Sequence, residues 1–366
     1  MKAIEIPGHV VYGDSFRNII DNLKTDNLKF YQFYNTEVSP GELFFFKYLN
    51  EYGDKDQEFW DRKVMNKTFY DIETRFDPKK APDPISVEFE ITSIAYYNNI
   101  NNTIYIDFLR NKSSKFHQLL DNAEEFKKEI EKIYKESCEK NKMYDIKNLE
   151  IVINVFDDEA TMIINFFKTI EDIGTLFLIG FNSSRFDDPY TINRLIKLIG
   201  EENAFKIISN FSIKKYGQIT YEIADRTAVD ILKLYQPVDS GGSGMGKSLP
   251  NYKLDTIAEV ELKINKLDLE GDFNKVYLEN PARFAAYNML DVILTVKLDE
   301  KLQFVEQLYA IAKYNNASVK AVFIGRSFIF NYRNTKHYLV DKNQLIRNNK
   351  FNKEIYYVHE EKENAW

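Results

Sequence analysis

The sequence predicts an α/β protein built on a mixed β-sheet, and three observations carry that expectation. Three segments rich in β-branched and aromatic residues follow one another from about residue 67; the second and third are close enough to pair as a hairpin; helix-period and strand-period segments then alternate to about residue 200. Adjacent strands followed by alternating helix and strand suit a sheet that is antiparallel in one part and parallel in the other. A doubly wound parallel sheet would alternate from its start.

Taken in order, residues 68–73, 87–97 and 103–109 read as strands. Residues 123–138 are charged and helical, 149–156 form a buried strand, 158–170 a helix and 176–181 a second buried strand. Asp188 suits an N-cap, Pro189 the first helical position after it, and Gly200 the helix end. Beyond Gly200 the pattern loosens into strand-like 219–223 and 228–232, a Gly-rich surface loop at 241–246, and helices opening at Leu254 and, behind Asn280, at Pro281. The first 60 residues mix short apolar pieces, Val10-Val11-Tyr12 and Leu43-Phe44-Phe45-Phe46, with turn residues and read as a small module. After about residue 316, a segment containing Ile324-Gly325-Arg326-Ser327-Phe328 leads to a polar tail. No internal repeat is visible. The whole order fits a ribonuclease H-like layer.

Composition bounds the chemistry. With 366 residues and 44% hydrophobic content the chain can bury one large core or several smaller ones. It has no run of 18 uncharged apolar residues, and Met1-Lys2-Ala3-Ile4-Glu5-Ile6-Pro7 lacks a signal-peptide core, so a soluble, intracellular protein with no membrane partner is expected. One cysteine, Cys138, and four histidines, His9, His117, His337 and His359, supply neither a disulfide framework nor a cysteine–histidine zinc site. Any metal must be held by oxygen. A net charge of -7 disfavours a dedicated nucleic-acid binder, but 49 basic residues leave room for a local positive track, and bound cations reverse the sign at a carboxylate cluster. Asn-, Lys- and Ile-rich usage suits an AT-rich genome such as a viral one.

Three acidic signatures occur in one order: Asp71-Ile72-Glu73, then Asn182 through Phe186-Asp187, then Tyr287 leading to Asp291. In a strand Asp71 and Glu73 project from one face while Ile72 points to the other. Asp187 stands at a strand-to-helix turn, where capping and helix-dipole duty is the plain alternative. In the helix from Pro281, Phe284, Tyr287, Asp291, Leu294 and Leu298 fall on one face, so Asp291 sits inside an apolar stripe. A buried carboxylate there must be paired, protonated or bound to a metal. D-x-E by itself means little, since Asp268-Leu269-Glu270 repeats it, but the three signatures together point to a two-metal phosphodiesterase.

The three signatures together resemble the proofreading exonuclease of family B DNA polymerases, members of the DEDDy superfamily named for four acids and a tyrosine. Phe69-Tyr70-Asp71-Ile72-Glu73-Thr74 resembles its first motif, Gly180-Phe181-Asn182-Ser183-Ser184-Arg185-Phe186-Asp187-Asp188-Pro189-Tyr190 the second, and Tyr287-Asn288-Met289-Leu290-Asp291 the third. Val229-Asp230-Ile231-Leu232-Lys233-Leu234-Tyr235 and Tyr252-Lys253-Leu254-Asp255-Thr256-Ile257-Ala258 resemble segments between the second and third. The resemblance implies an N-terminal module at 1–62, the exonuclease domain at 63–310, and a helical connector with a C-terminal tail at 311–366 leading toward a palm. It implies a 3′-to-5′ DNA exonuclease releasing 5′-nucleotides with two divalent ions, Mg2+ or Mn2+. On that resemblance Asp71 bridges both ions, Glu73 and Asp291 complete one site, Asp187 supports the other, and Tyr287 with Glu73 orients the attacking water. Asn182, Phe186 and Thr74 would contact a frayed 3′ end, Phe186 by packing on a terminal base; the chain's 24 Tyr and 28 Phe offer further aromatic surface.

The sequence departs from the family in lacking a D-x-x-S-L-Y-P palm motif and D-T-D-S. Val11-Tyr12-Gly13-Asp14-Ser15 resembles the latter only superficially and reads as a turn. No polymerase activity is expected from this chain alone, its palm, fingers and thumb being either on a separate chain or deleted. Three rivals are a catalytically degenerate DNA-holding module of a split polymerase, an exonuclease acting on RNA, and a P-loop nucleotide binder through Gly241-Gly242-Ser243-Gly244-Met245-Gly246-Lys247-Ser248. The last has a poor setting between Pro237 and Pro250, and Lys247 would there at most touch a DNA phosphate.

Overall fold

The computed structural model describes residues 65–315, apart from 76, 78, 112–115, 238–241, 265–266, 268 and 270–272, together with residues 2–6, 9–13, 319, 322, 344–346 and 355–357. The chain divides into two compact units, Val64–Gln307 and a unit of Met1–Lys63 with Leu308–Trp366. In the latter, β1 (Lys2–Ile6) pairs antiparallel with β2 (His9–Gly13). Val11, Tyr12 and Gly13 are therefore strand residues rather than the turn expected there. The segments 43–46 and 324–328 lie outside the described residues.

The larger unit is built on six strands: β3 (Lys67–Thr74), β4 (Ile91–Asn98), β5 (Thr103–Leu109), β6 (Glu150–Phe156), β7 (Phe177–Gly180) and, after the small hairpin β8 (Ile213–Tyr216) and β9 (Thr220–Ile223), β10 (Thr227–Asp230). Their order across the sheet is β10-β7-β3-β4-β5-β6. β3–β4 and β4–β5 pair antiparallel, whereas β6 adds in parallel to β5, β7 to β3 and β10 to β7. The mixed sheet is ribonuclease H-like, as the sequence predicts. The remaining pair, β11 (Gln344–Ile346) and β12 (Ile355–Tyr357), is an antiparallel ladder of the smaller unit.

Ten helices follow the chain: α1 (His117–Asp121), α2 (Ala123–Lys140), α3 (Glu159–Asp172), α4 (Asp187–Ile199), α5 (Glu201–Ile208), α6 (Ile231–Tyr235), α7 (Leu254–Leu262), α8 (Phe273–Glu279), α9 (Pro281–Leu302) and α10 (Phe304–Asn315) among the described residues. None is long and apolar enough to cross a membrane. Asp158, expected inside α3, is its N-cap and accepts from Thr161 N at 2.8 Å.

Each face of the sheet carries its own apolar layer. On one, Tyr70 and Tyr96 pack on Phe166 of α3 at 5.4 and 5.1 Å between ring centroids, joined by Met162, Ile170, Tyr190 and Leu195. On the other, Phe108 of β5 meets Phe126 of α2 at 5.3 Å and Phe284 of α9 at 6.3 Å. Burying each such ring contributes about 1.5–3 kcal/mol. A bidentate ion pair ties α3 to α4, with Arg194 Nη2 on Glu159 Oε2 at 2.6 Å and Nε on Oε1 at 2.8 Å. Glu159 Oε1 also accepts from Ile91 N at 2.8 Å, so the pair fixes the start of β4 as well.

Three expectations are corrected. Residues 149–156 were expected as a buried strand, but β6 is the edge strand and most of its residues are half-buried. The strand expected at 87–97 starts only at Ile91, because an Asp83-centred turn, with Asp83 accepting from Ile85 N and Ser86 N, sets Val87 at φ 39°. The single apolar stripe expected for the helix at Pro281 is a buried surface around nearly its whole circumference, because α9 packs on β3, β4, β5, α2 and α7 together. Its start follows the sequence: Asn280 caps it by accepting from Arg283 N, with Pro281 in first position.

Candidate active site

Side chains of β3 alternate between the two layers. Lys67 and Asp71 reach α9, with Lys67 Nζ on Asp299 Oδ2 at 2.7 Å and Asn288 Nδ2 on Asp71 Oδ2 at 2.8 Å, whereas Tyr70 points to α3 and α4. Strand and helix run alongside each other for the same length. Lys67 to Asp71 spans about 13 Å of strand, and Asp291 to Asp299 about 12 Å of helix. Asp291 is thereby delivered to the end of β3 that carries Asp71 and Glu73. One ligand oxygen from each of these three carboxylates lies within 4.8 Å of the other two. Asp71 and Glu73 are half-buried and Asp291 is buried. At the same end the β3–β4 register slips after Glu73, and Thr92 Oγ1 donates to the Glu73 carbonyl at 3.0 Å, a bulge of the kind that turns a strand end.

Asp187 comes from the other layer. It opens α4, is 4% exposed, and its Oδ1 accepts from Ile72 N at 3.2 Å. Burial and then the neighbouring Asp71 charge hold its carboxyl well above the ordinary carboxylate range. Three oxygens that converge, with a fourth acid electrostatically beside them and no nitrogen or sulfur donor, form a set suited to a hard divalent cation. The α4 start corrects the sequence expectation. Its N-cap is Phe186, with no side-chain cap bond, and Asp188 is a helical residue whose carboxylate accepts from the Tyr70 hydroxyl. The turn at 182–186 is tight, with Arg185 N and Phe186 N both donating to Asn182 O, so the helix begins earlier than Pro189 alone indicates. Burial pushes the Asp188 carboxyl up to about 6.

The remaining expected residues take these places. Tyr287 is half-buried on α9, one turn before Asp291. Asn182 is half-buried with φ 62°, and Phe186 is half-buried with its ring 5.2 Å from that of Tyr190. Thr74, at the end of β3, is buried.

Two residues to which the sequence assigned no role support the site, Asn288 at the cluster and Asp230 behind the 182–184 turn. Asn288 bridges Asp71 to β4, accepting from Ser93 Oγ at 2.8 Å. Asp230, buried at the end of β10, accepts from Asn182 N at 2.9 Å and Ser184 Oγ at 2.6 Å and caps α6 through Leu232 N at 3.0 Å. The signals were present: a polar residue beside an acid in a buried helix, and an acid between an apolar strand and a helix.

The Gly-rich loop does not offer its amides to a phosphate. Gly242, Ser243, Gly244, Met245 and Gly246 N–H groups donate to the carbonyls of Pro237, Lys233, Gln236, Leu234 and Tyr235, closing the end of α6. The glycines serve close approach. A Cβ at Gly242 would stand 2.1 Å from Gln236 O, and one at Gly246 would stand 2.4 Å from the Tyr235 ring. Lys247 Nζ pairs with Glu261 Oε1 at 2.9 Å. These five amides are already committed, which counts against the P-loop reading.

The family model for the DNA polymerase family B exonuclease domain matches residues 54–257. That stretch contains Asp71, Glu73 and Asp187 and stops before Tyr287 and Asp291. Among curated relatives, the DNA-directed DNA polymerase of Enterobacteria phage T4 is 26% identical over 257 residues, 70% of this chain and 28% of the relative. The corresponding protein of Escherichia phage RB69 is 25% identical over 274 residues, 72% of this chain and 28% of the relative. The DNA polymerase catalytic subunit of Murid herpesvirus 1 is 29% identical over 200 residues, 48% of this chain and 17% of the relative. The chain thus matches less than a third of the length of each of these relatives.

Proposed function

This chain belongs to the exonuclease-domain family of family B DNA polymerases, and from that premise we propose that it is a 3′-to-5′ DNA exonuclease that trims single-stranded or mismatched 3′ ends for a polymerase part, separate or deleted. The observation that carries the reading is the meeting of Asp71, Glu73 and Asp291 within 4.8 Å, from two elements far apart in the chain. DNA is the proposed substrate because the relatives are DNA polymerases.

In this reading Asp71, Glu73 and Asp291 would hold one divalent cation, Mg2+ or Mn2+, and Asp187 with Asp71 would support a second. When bound, the pair supplies positive charge that acidifies water and offsets the charge building on the scissile phosphate. The chain's own residues do the rest. Tyr287 and Glu73 orient the water that attacks phosphorus, and Asn182, Phe186 and Thr74 hold the terminal nucleotide. The bond from phosphorus to the 3′ oxygen breaks, that oxygen stays with the shortened strand, and the phosphate leaves on the 5′-nucleotide.

The test is degradation of a 5′-labelled, 3′-mismatched primer-template and of single-stranded DNA, with Mg2+ or Mn2+ and with EDTA. A metal-dependent ladder shortening from the 3′ end is expected. No cleavage with either metal would sink the reading in favour of a DNA-holding module, and cleavage of RNA in preference to DNA would overturn the substrate assignment.

A further inference from the structure

We infer that Asn288 is a positioning residue for Asp71, held in its working orientation by Ser93, and that this buried relay sets the affinity of the acidic cluster for divalent cations. The inference rests on the proposed role of Asp71 as a metal ligand and adds two residues that lie behind it.

Asn288 is 0% exposed and sits on α9, three residues before Asp291. Its Nδ2 lies 2.8 Å from Asp71 Oδ2 and 3.3 Å from the Asp71 carbonyl oxygen. Its Oδ1 accepts from Ser93 Oγ at 2.8 Å, and Ser93, also 0% exposed, stands opposite Glu73 in the β3–β4 register. The proton arrangement is fully determined. A carboxylate and a carbonyl only accept, so the amide must turn its NH2 toward Asp71; its oxygen then faces Ser93, which must donate. A flipped amide would set oxygen against oxygen and leave the hydroxyl without its acceptor.

Such a relay answers a specific difficulty. Asp71, Glu73 and Asp291 set like charges within 4.8 Å, and a carboxylate among others gains by rotating away until a cation arrives. A hydrogen bond to one oxygen holds Asp71 in place beforehand, so less ordering is needed when the ion binds. A neutral amide does this without competing charge, which Lys or Arg would introduce. The same helix face supplies Asp291 and the clamp on Asp71, so the two ligands keep a common reference.

The test is Mn2+ titration calorimetry of the full chain without DNA, for the wild type, Asn288→Ala, Ser93→Ala, the double variant and Asp71→Ala, alongside steady-state cleavage of labelled single-stranded DNA at varied Mn2+. Asn288→Ala is expected to bind Mn2+ about tenfold more weakly. Its kcat should fall at fixed Mn2+ and recover at raised Mn2+, with KM for DNA unchanged. Ser93→Ala should shift the same quantities less, and the double variant should match Asn288→Ala, because Ser93 acts only through Asn288. Wild-type Mn2+ affinity in both single variants, or losses that add, would overturn the relay. Should Asn288→Ala fail to fold by circular dichroism, Ser93→Ala decides by the same criterion. Wild-type affinity in Asp71→Ala sinks the metal-site reading itself; loss there with none in Asn288→Ala or Ser93→Ala sinks only the relay.

Discussion

Lys67 Nζ donates to Asp299 Oδ2 at 2.7 Å, joining the first residue of β3 to the last turn of α9, and Glu306 Oε1 completes the contact at 2.6 Å. Asp299 is fully buried, and its other oxygen accepts from Val305 N at 3.3 Å. The pair sets the register of helix on strand, which in turn brings Asp291 to Asp71 and Glu73. Lys67→Met leaves Asp299 charged and buried without its partner, at a cost of about 3–5 kcal/mol. Urea denaturation should show that loss, and Lys67→Met with Asp299→Leu should regain much of it; an unchanged midpoint in Lys67→Met would contradict the registering role.

Asp71→Ala and Asp291→Ala are each expected to abolish cleavage, because a cation cannot do without its ligands. Asp291→Ala should not lower the melting temperature measured in EDTA, since removing one acid from a cluster relieves repulsion, whereas in Asp71→Ala that relief is offset by the loss of the acceptor for the buried Asn288 amide. Tyr287→Phe should only slow the reaction, by up to about 100-fold, as water can partly replace an orienting phenol. Single-turnover cleavage with melting curves checks all three, and full activity in Asp71→Ala would end the assignment.

Asp230→Ala removes the acceptor shared by Asn182 N, Ser184 Oγ and Leu232 N. The helix-cap loss is about 1 kcal/mol, and each stranded donor adds about 1–3 kcal/mol. Because Asn182 and Phe186 lie on the loop so anchored, KM for single-stranded DNA is expected to rise more than kcat falls. Asp230→Asn, which keeps one acceptor oxygen, should be milder on both counts in urea melts and steady-state assays.

Burial pushes the Asp107 carboxyl up to about 6, against the opposing hydrogen bonds of Asn154, Asn165 and Tyr96. Its unfolded value is about 4, so between those limits the folded chain holds a proton that the unfolded chain releases. Its contribution to stability therefore falls as pH rises from about 4 to 6, levelling above that at a cost of about 3 kcal/mol. Asp107→Asn should flatten this part of the stability–pH curve and raise the midpoint at pH 7.5. All three hydrogen bonds can be kept if Asn154 turns its amide so that its oxygen accepts from the new NH2, and chemical denaturation across the pH range is the check.

Gly246→Ala is expected to destabilise by about 1–3 kcal/mol, since its Cβ would meet the Tyr235 ring at 2.4 Å. Lys247→Ala, which opens only a partly exposed ion pair with Glu261, should leave cleavage nearly unchanged. ATP with Mg2+ should not alter the melting temperature beyond the effect of Mg2+ alone; a shift specific to ATP would restore the nucleotide-binding reading.

Local covalent geometry is legible in the chain alone. Side-chain alternation in a strand sends Asp71 and Glu73 to one face and Ile72 to the other, and the cap at Asn280 with Pro281 starts α9 where the pattern says. The order of strands and helices was legible for the same reason, since each period is a property of neighbouring residues. The tertiary structure decided what depends on a distant partner. Only packing shows that the acid at 188 serves the Tyr70 hydroxyl rather than a helix cap, that residues 150–156 lie at the sheet edge, and that the glycine-rich loop has given its amides to α6. The pairing of Asn288 with Asp71 spans 217 positions, a separation at which no local pattern carries information. A carboxylate's surroundings are set by which elements the core brings together, so the acids could be named from the chain while their supports awaited the fold.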